Sequence, residues 1–148
     1  MGKCKLVIFD LDNTLHISGQ MELLPHIKDI LQYLRRSGIR MALASLNVFA
    51  REHLQQYNVL HLFDCVESRK TLYDGLYTKD KMFKAIRNKT KIKYRNIVVF
   101  DDNFYHCMEA KVLGMKYILV TKDVLSWNDV RRGLCMFDHK QRSKSCHL

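Results

Sequence analysis

Leu6-Val7-Ile8-Phe9-Asp10-Leu11-Asp12-Asn13-Thr14-Leu15 is the stretch that decides the fold. Leu6 to Phe9 is β-branched, aromatic and apolar without alternation, which reads as a strand buried on both faces, as in a parallel sheet. Asp10 then falls at the strand's carboxyl end, the edge where open α/β sheets put their ligands. A half-buried carboxylate there needs a cation or several donors. Two of them, Asp10 and Asp12, point to a hard ion such as Mg²⁺, which takes oxygen ligands. The first expectation is therefore metal-assisted phosphate chemistry.

The rest of the chain repeats the pattern. Pro25 opens a helix whose apolar face is Ile27, Ile30, Leu31 and Leu34, closed at Ser37-Gly38. Ile39 to Ala44 is a second strand ending at Ser45. Asn47 is expected to cap a helix over Val48 to Tyr57. Phe63 to Glu67 is a short third strand, and a loop with an Asp74-Gly75 turn leads to a helix from Asp80 to about Lys89. Asn96 to Phe100 is another buried strand, ending in Asp101 and Asp102. A helix over 103–113 closes at Gly114, Tyr117 to Val120 is the last strand, and Ser126 caps a final helix over Trp127 to about Phe137. Strands alternating with helices give βαβ units, hence a single Rossmann-like three-layer α/β/α domain around a parallel sheet. Residues 1–138 are assigned to that domain, and the basic 139–148 to a flexible tail.

Bulk properties narrow the function. A chain of 148 residues that is 47% hydrophobic fits one globular domain. No apolar run approaches the roughly 18–20 residues that span a membrane, and the start of the chain lacks a signal-peptide pattern. Five scattered cysteines without a CxxC pair argue against a disulfide framework or a zinc site. They fit a reducing compartment, the cytoplasm or the nucleus. The formal charge of +10 favours an anionic partner.

Polar residues recur just after apolar strands or at helix starts: Asp10 and Asp12, Ser45, Lys79, and Asp101 with Asp102. In a parallel sheet all these strand ends share one edge, so the residues should converge. Each type has a task in phosphoryl transfer. An aspartate can attack phosphorus, and a second carboxyl can protonate the leaving oxygen and later activate water. A metal cancels charge, while a hydroxyl and an ammonium bind the phosphoryl oxygens.

That order resembles the haloacid dehalogenase superfamily of phosphatases. Its DxDxT motif is matched by Asp10-Leu11-Asp12-Asn13-Thr14, its Ser/Thr motif by Ser45, its lysine by Lys79, and its acidic pair by Asp101-Asp102. Glu67, Gly75, Lys79 and Phe83 loosely follow the capless magnesium-dependent subgroup. The resemblance implies that Asp10 is nucleophile and Mg²⁺ ligand. It implies that Asp12 is general acid/base and gives its backbone carbonyl to the metal. Asp101 is expected on or next to the metal with Asp102 supporting it. Lys81 competes with Lys79, which has the better spacing to Phe83. His16 departs from the subgroup, which often has an apolar aromatic there. His26, His53, His61 and His106 are read as surface or edge residues, and Tyr105 and Trp127 as core or rim.

The gaps from Asp12 to Ser45 and from Glu67 to Lys79 are too short for an inserted cap, so the site should be open. The function expected is a Mg²⁺-dependent phosphomonoesterase acting through an aspartyl phosphate, on phosphoproteins or a broad range of esters. Two alternatives accompany it. One is a nucleic-acid 3′-end phosphatase, prompted by the charge and by the eight basic residues between Lys79 and Arg95. The other is a phospho-aspartate receiver domain, which would place its acidic pair early and its lone aspartate late, the reverse of the order here.

Overall fold

A computed structural model describes residues 2–137, and the proposed 139–148 tail lies outside them. Five parallel strands form one sheet: β1 (Leu6–Phe9), β2 (Arg40–Ser45), β3 (Cys65–Ser68), β4 (Ile97–Asp101) and β5 (Lys116–Leu119), in the order β3-β2-β1-β4-β5. The helices are α1 (Pro25–Arg36), α2 (Ala50–Gln56), α3 (Lys79–Thr90), α4 (Phe104–Leu113) and α5 (Trp127–Leu134).

The unbroken apolar strands are explained by what covers them. Along β1, Val7 and Phe9 enter a core shared with Ile27, Ile30 and Leu31 of α1, Leu54 of α2 and Val130 of α5. Leu6 and Ile8 enter a second core with Met82, Phe83 and Ile86 of α3 and Ala110 of α4. Successive strand side chains point to opposite faces, so a strand covered on both has no solvated face to carry polar residues. The two cores make the three layers that the sequence predicts.

β1 is central, paired with β2 on one side and β4 on the other. Strand order runs outward in both directions from the β1–β4 boundary. Crossovers leave to opposite faces there, which opens a crevice beyond the strand ends. Phe9 is level with Phe100, and each is followed by an aspartate, so the register alone sets Asp10 and Asp101 side by side at that crevice.

Several boundaries differ from the sequence reading. α2 starts at Ala50, not Val48, because Asn47 turns the chain before the helix: its Oδ1 accepts from Phe49 N at 2.8 Å. α3 begins at Lys79 itself. α5 ends at Leu134, although its Ser126 cap stands, as a capping box with Asp129. Cys4, Cys65 and Cys107 are buried thiols. No helix among the described residues is long and apolar enough to cross a membrane.

Candidate active site

Asp10 follows β1 and Asp101 ends β4, and both are buried. Between them lies the ammonium of Lys79, whose side chain is only 1% exposed. Its Nζ donates to Asp10 Oδ1 at 3.0 Å, to Asp101 Oδ2 at 2.7 Å and to the carbonyl of Ala44 at 2.6 Å. All three ammonium protons are thus used, and the first residue of α3 is tied to the ends of three different strands. Lys81, the rival for this role, lines a separate surface groove with Glu67 and Asp74.

The charges here do not balance. Asp10, Asp101 and Asp102 each offer an oxygen within 4.8 Å of the others, against one lysine. Burial pushes the Asp10 carboxyl up to about 8; Lys79 opposes the shift, but Asp101 and a hydrogen bond shared with Asp102 add to it. Asp101 goes the other way. Burial would raise it, but His106, Lys79 and the Asn103 N–H outweigh burial and hold it below its ordinary value. Lys79 would lose its proton on burial alone; Asp10 and Asp101 reverse that and raise it. The pair therefore keeps its ammonium and one carboxylate charged, while Asp10 takes the penalty of a second negative charge in a dry place.

Asp101 has both oxygens engaged. Oδ1 accepts from Asn103 N at 2.9 Å, Oδ2 takes Lys79, and His106 Nδ1 lies 3.4 Å from that same oxygen. Asn103 also caps α4, its side chain accepting from Tyr105 N and His106 N. Helix, cap and carboxylate are thereby fixed together. His106 is thus half-buried beside the site and not merely an edge residue.

Ser45 ends β2, 1% exposed, one residue beyond the carbonyl that holds Lys79. Its Oγ accepts from Asn47 N at 3.1 Å, which leaves the hydroxyl proton available to donate.

Asp12 sits just off the sheet, on a turn with Asn13 in the left-handed region at φ 59°. Asn tolerates this conformation better than most residues. Its carboxylate has two donors, His16 Nε2 on Oδ1 at 2.7 Å and Asn47 Nδ2 on Oδ2 at 3.1 Å. The His16 hydrogen bond, opposed by partial burial and helped by Asn47, holds Asp12 below the usual carboxylate range.

The six predicted positions, Asp10, Asp12, Ser45, Lys79, Asp101 and Asp102, therefore gather at one edge of the sheet, with Lys79 between Asp10 and Asp101. His16, Asn47, Asn103 and His106 are additions that spacing and periodicity did not single out. Asn47 and Asn103 each stand two residues past an acid or hydroxyl at a strand end, and that offset is the signal that could have found them. The basic run after Lys79 is partly engaged locally. Lys84 pairs with Asp80, Lys89 with Glu67, and Arg87 lies over the Tyr94 ring at 5.8 Å.

Comparison with known proteins adds an independent line. A family model described as acid phosphatase matches residues 16–140, most of the chain, beginning just after the DxDxT stretch. No curated protein matches the sequence. Among solved structures, CbbY from Rhodobacter sphaeroides, crystallised with phosphate, superposes with a TM-score of 0.63 at 14% identity, covering 78% of this chain and 85% of that one. A haloacid dehalogenase-like family hydrolase from Streptococcus pneumoniae gives 0.63 at 12% identity, covering 96% and 90%. The core domain of an S. pneumoniae protein described as a phosphoglycolate phosphatase gives 0.64 at 20% identity, covering 89% and 95%. At such identities the likeness speaks for the fold.

Proposed function

The chain belongs to the acid phosphatase family, with the haloacid dehalogenase fold, and from that premise we propose a Mg²⁺-dependent phosphomonoesterase that works through an aspartyl phosphate on Asp10. The observation that carries the reading is the excess of carboxylate over cation at the β1–β4 crevice, with Asp10 driven up to about 8. A hard divalent cation fits this donor set, because it supplies the charge that Lys79 alone does not. Asp10, Asp102 and the backbone carbonyl of Asp12 would hold it. Asp102 is preferred to Asp101 as the direct carboxylate, since both Asp101 oxygens already have protein partners. The metal would neutralise the phosphate facing Asp10 and return that carboxyl to its ionised, nucleophilic form.

The protein's own residues then divide the work. Lys79 holds Asp10 and counters charge on the phosphoryl oxygens, and Ser45 donates its hydroxyl to one of them. Asp12 protonates the leaving oxygen and afterwards takes a proton from the attacking water. Its lowered pKa suits the second half, and the like charge of a bound phosphate dianion pushes it upward for the first.

The connections after β1 and β3 are the short segments 10–24 and 69–78, which supports the reading of a site without an inserted cap. Exposed apolar side chains stand on the segments that follow the strands, among them Phe49, Leu72, Tyr73, Leu76 and Tyr105. Short connections beside the site and exposed apolar side chains on the segments after the strands suit a phosphate carried on a protein better than a small, fully enclosed ester. The test is turnover of an aryl phosphate with Mg²⁺, with EDTA, and by the Asp10→Asn variant. Activity that survives chelation or the substitution would sink the reading.

A further inference from the structure

Asp12 needs help that Asp10 does not. Asp10 is gripped by Lys79 and follows directly from a central strand, whereas the Asp12 side chain is 38% exposed and lies on a turn outside the sheet. A proton carrier in that position must still be aimed, since general acid catalysis depends on hydrogen-bond distance to the reacting oxygen.

We infer that His16 is the positioning residue for Asp12, fixed in turn by Tyr57 at the end of α2; this rests on the acid/base role proposed above for Asp12. His16 is 0% exposed, the only histidine buried so completely among the described residues. Its backbone is tied to the same turn, where Asp12 and His16 form an isolated bridge and Asn13 N donates to His16 O at 2.7 Å. Its Nε2 lies 2.7 Å from Asp12 Oδ1, and its Nδ1 lies 2.5 Å from the Tyr57 hydroxyl. The rings of His53 and Tyr57 stand edge-on to the imidazole, with centroids 5.1 Å and 5.7 Å away.

The proton assignment follows from what each group can do. An ionised carboxylate only accepts, so Nε2 is the donor. On the far side, the Tyr57 hydroxyl either donates to Nδ1, or accepts from it while donating to the Gln20 carbonyl at 3.2 Å. The first arrangement needs only a neutral ring and the second needs a proton on both ring nitrogens; in each the Nε2–H points at Asp12. The result is a relay of fixed contacts from α2 through a buried ring to an otherwise exposed carboxyl. Asn47, on the turn that leads into α2, holds the other oxygen. The segment 47–57 therefore sets both oxygens of Asp12.

Positioning of this kind has a signature distinct from general loss of stability. In the first half-reaction an Asp10 oxygen bonds to phosphorus, the ester P–O bond breaks, and the leaving oxygen takes its electron pair and the Asp12 proton. In the second, a water oxygen bonds to phosphorus, its proton goes to Asp12, and the Asp10–phosphorus bond breaks to free inorganic phosphate. A misplaced acid harms poor leaving groups most, because a weakly basic phenolate departs without a proton.

The experiment is a series of substituted phenyl phosphates with wild type, H16F, H16Q and Y57F, reading log(kcat/KM) against leaving-group pKa. H16F should steepen the slope, losing on the order of 10²-fold on the poorest leaving group and little on 4-nitrophenyl phosphate. H16Q, whose amide can still donate to Asp12, should restore most of the wild-type slope. Y57F should steepen it partway. A uniform loss across the series for H16F, an unchanged slope, or H16Q behaving like H16F would overturn the inference. Should H16F fail to fold, an unchanged slope in Y57F overturns it instead. D12N separates the two levels. If D12N leaves the slope alone, the acid/base reading fails; if D12N steepens it while H16F does not, only the role of His16 falls.

Discussion

Two charged clusters lie near the same edge of the sheet and behave in opposite ways. At the β1–β4 crevice, Lys79 lies between Asp10 and Asp101 with Asp102 alongside, and Asp10 is pushed up to about 8. On β3, Glu67 is buried too, yet it ends up below its ordinary value. Burial would raise it, but hydrogen bonds from Lys89, Tyr77 and Cys65 outweigh burial. The second cluster has donors enough for its carboxylate and is complete in itself. The first has more negative charge than the protein neutralises. Evolution can keep such a deficit only where something else arrives to fill it, and this is why the unbalanced cluster is assigned the chemistry and the balanced one a structural part.

The sharpest way to break that contrast is Asp10→Asn. We expect aryl phosphate turnover to fall on the order of 10⁴-fold, as for loss of a nucleophile. Without metal the variant should be no less stable than wild type. A folded value near 8 against an ordinary 3.8 means that Asp10 favours folding below about pH 4, and that this advantage is lost as pH rises through about 8. Chemical denaturation of metal-free protein from pH 4 to pH 8 should therefore show wild type losing ground to Asp10→Asn. The opposite trend would mean that the cluster is not overloaded.

Lys79→Met should be costly twice. Removing the one cation strands the ionised, fully buried Asp101 carboxylate beside Asp10, a loss of about 3–5 kcal/mol by analogy with broken buried pairs. Turnover should fall on the order of 10²–10³-fold as an electrostatic contact to the phosphate disappears. A variant with near-normal melting temperature would show that Asp10 and Asp101 do not depend on it.

The β3 cluster gives the mirror image. Glu67 has a lowered value, so its stabilisation is present above the ordinary 4.5 and disappears as pH falls through the folded value. The difference in denaturation midpoint between wild type and Glu67→Gln should be clear at pH 7 and vanish in acid. Turnover should stay near wild type. Lys89→Met should be milder still, about 1 kcal/mol or less, because its side chain is 63% exposed and the ion pair is screened.

These contrasts also mark what the sequence could and could not reveal. β1 and β4 are legible because a strand covered on both faces has no alternative but a continuous apolar run, and Asp10 and Asp101 follow from where those runs stop. Ser45 comes from the same logic, whereas Lys79 is picked out over Lys81 by motif order and its spacing to Phe83, and the structure shows Lys79 buried between Asp10 and Asp101. His16 and Asn47 are different. Their contacts with Asp12, and that of His16 with Tyr57, depend on a turn through left-handed Asn13 and on α2 starting at Ala50. No periodicity records a side chain meeting another 35 or 41 residues away. His106 looks like an edge residue in the sequence because helix position says nothing about which strand end lies below it.

The claim on which the rest depends is that Asp10 carries the phosphoryl group. The direct measurement uses the Asp12→Asn variant with Mg²⁺ and an aryl phosphate, quenched during turnover, reduced with borohydride and mapped by peptide mass spectrometry. Loss of the second-step base should let the phosphoenzyme accumulate, so reduction should convert position 10, and no other aspartate, to homoserine. Continued release of phosphate with Asp10 unmodified, or modification at Asp101 or Asp102 instead, would contradict the account.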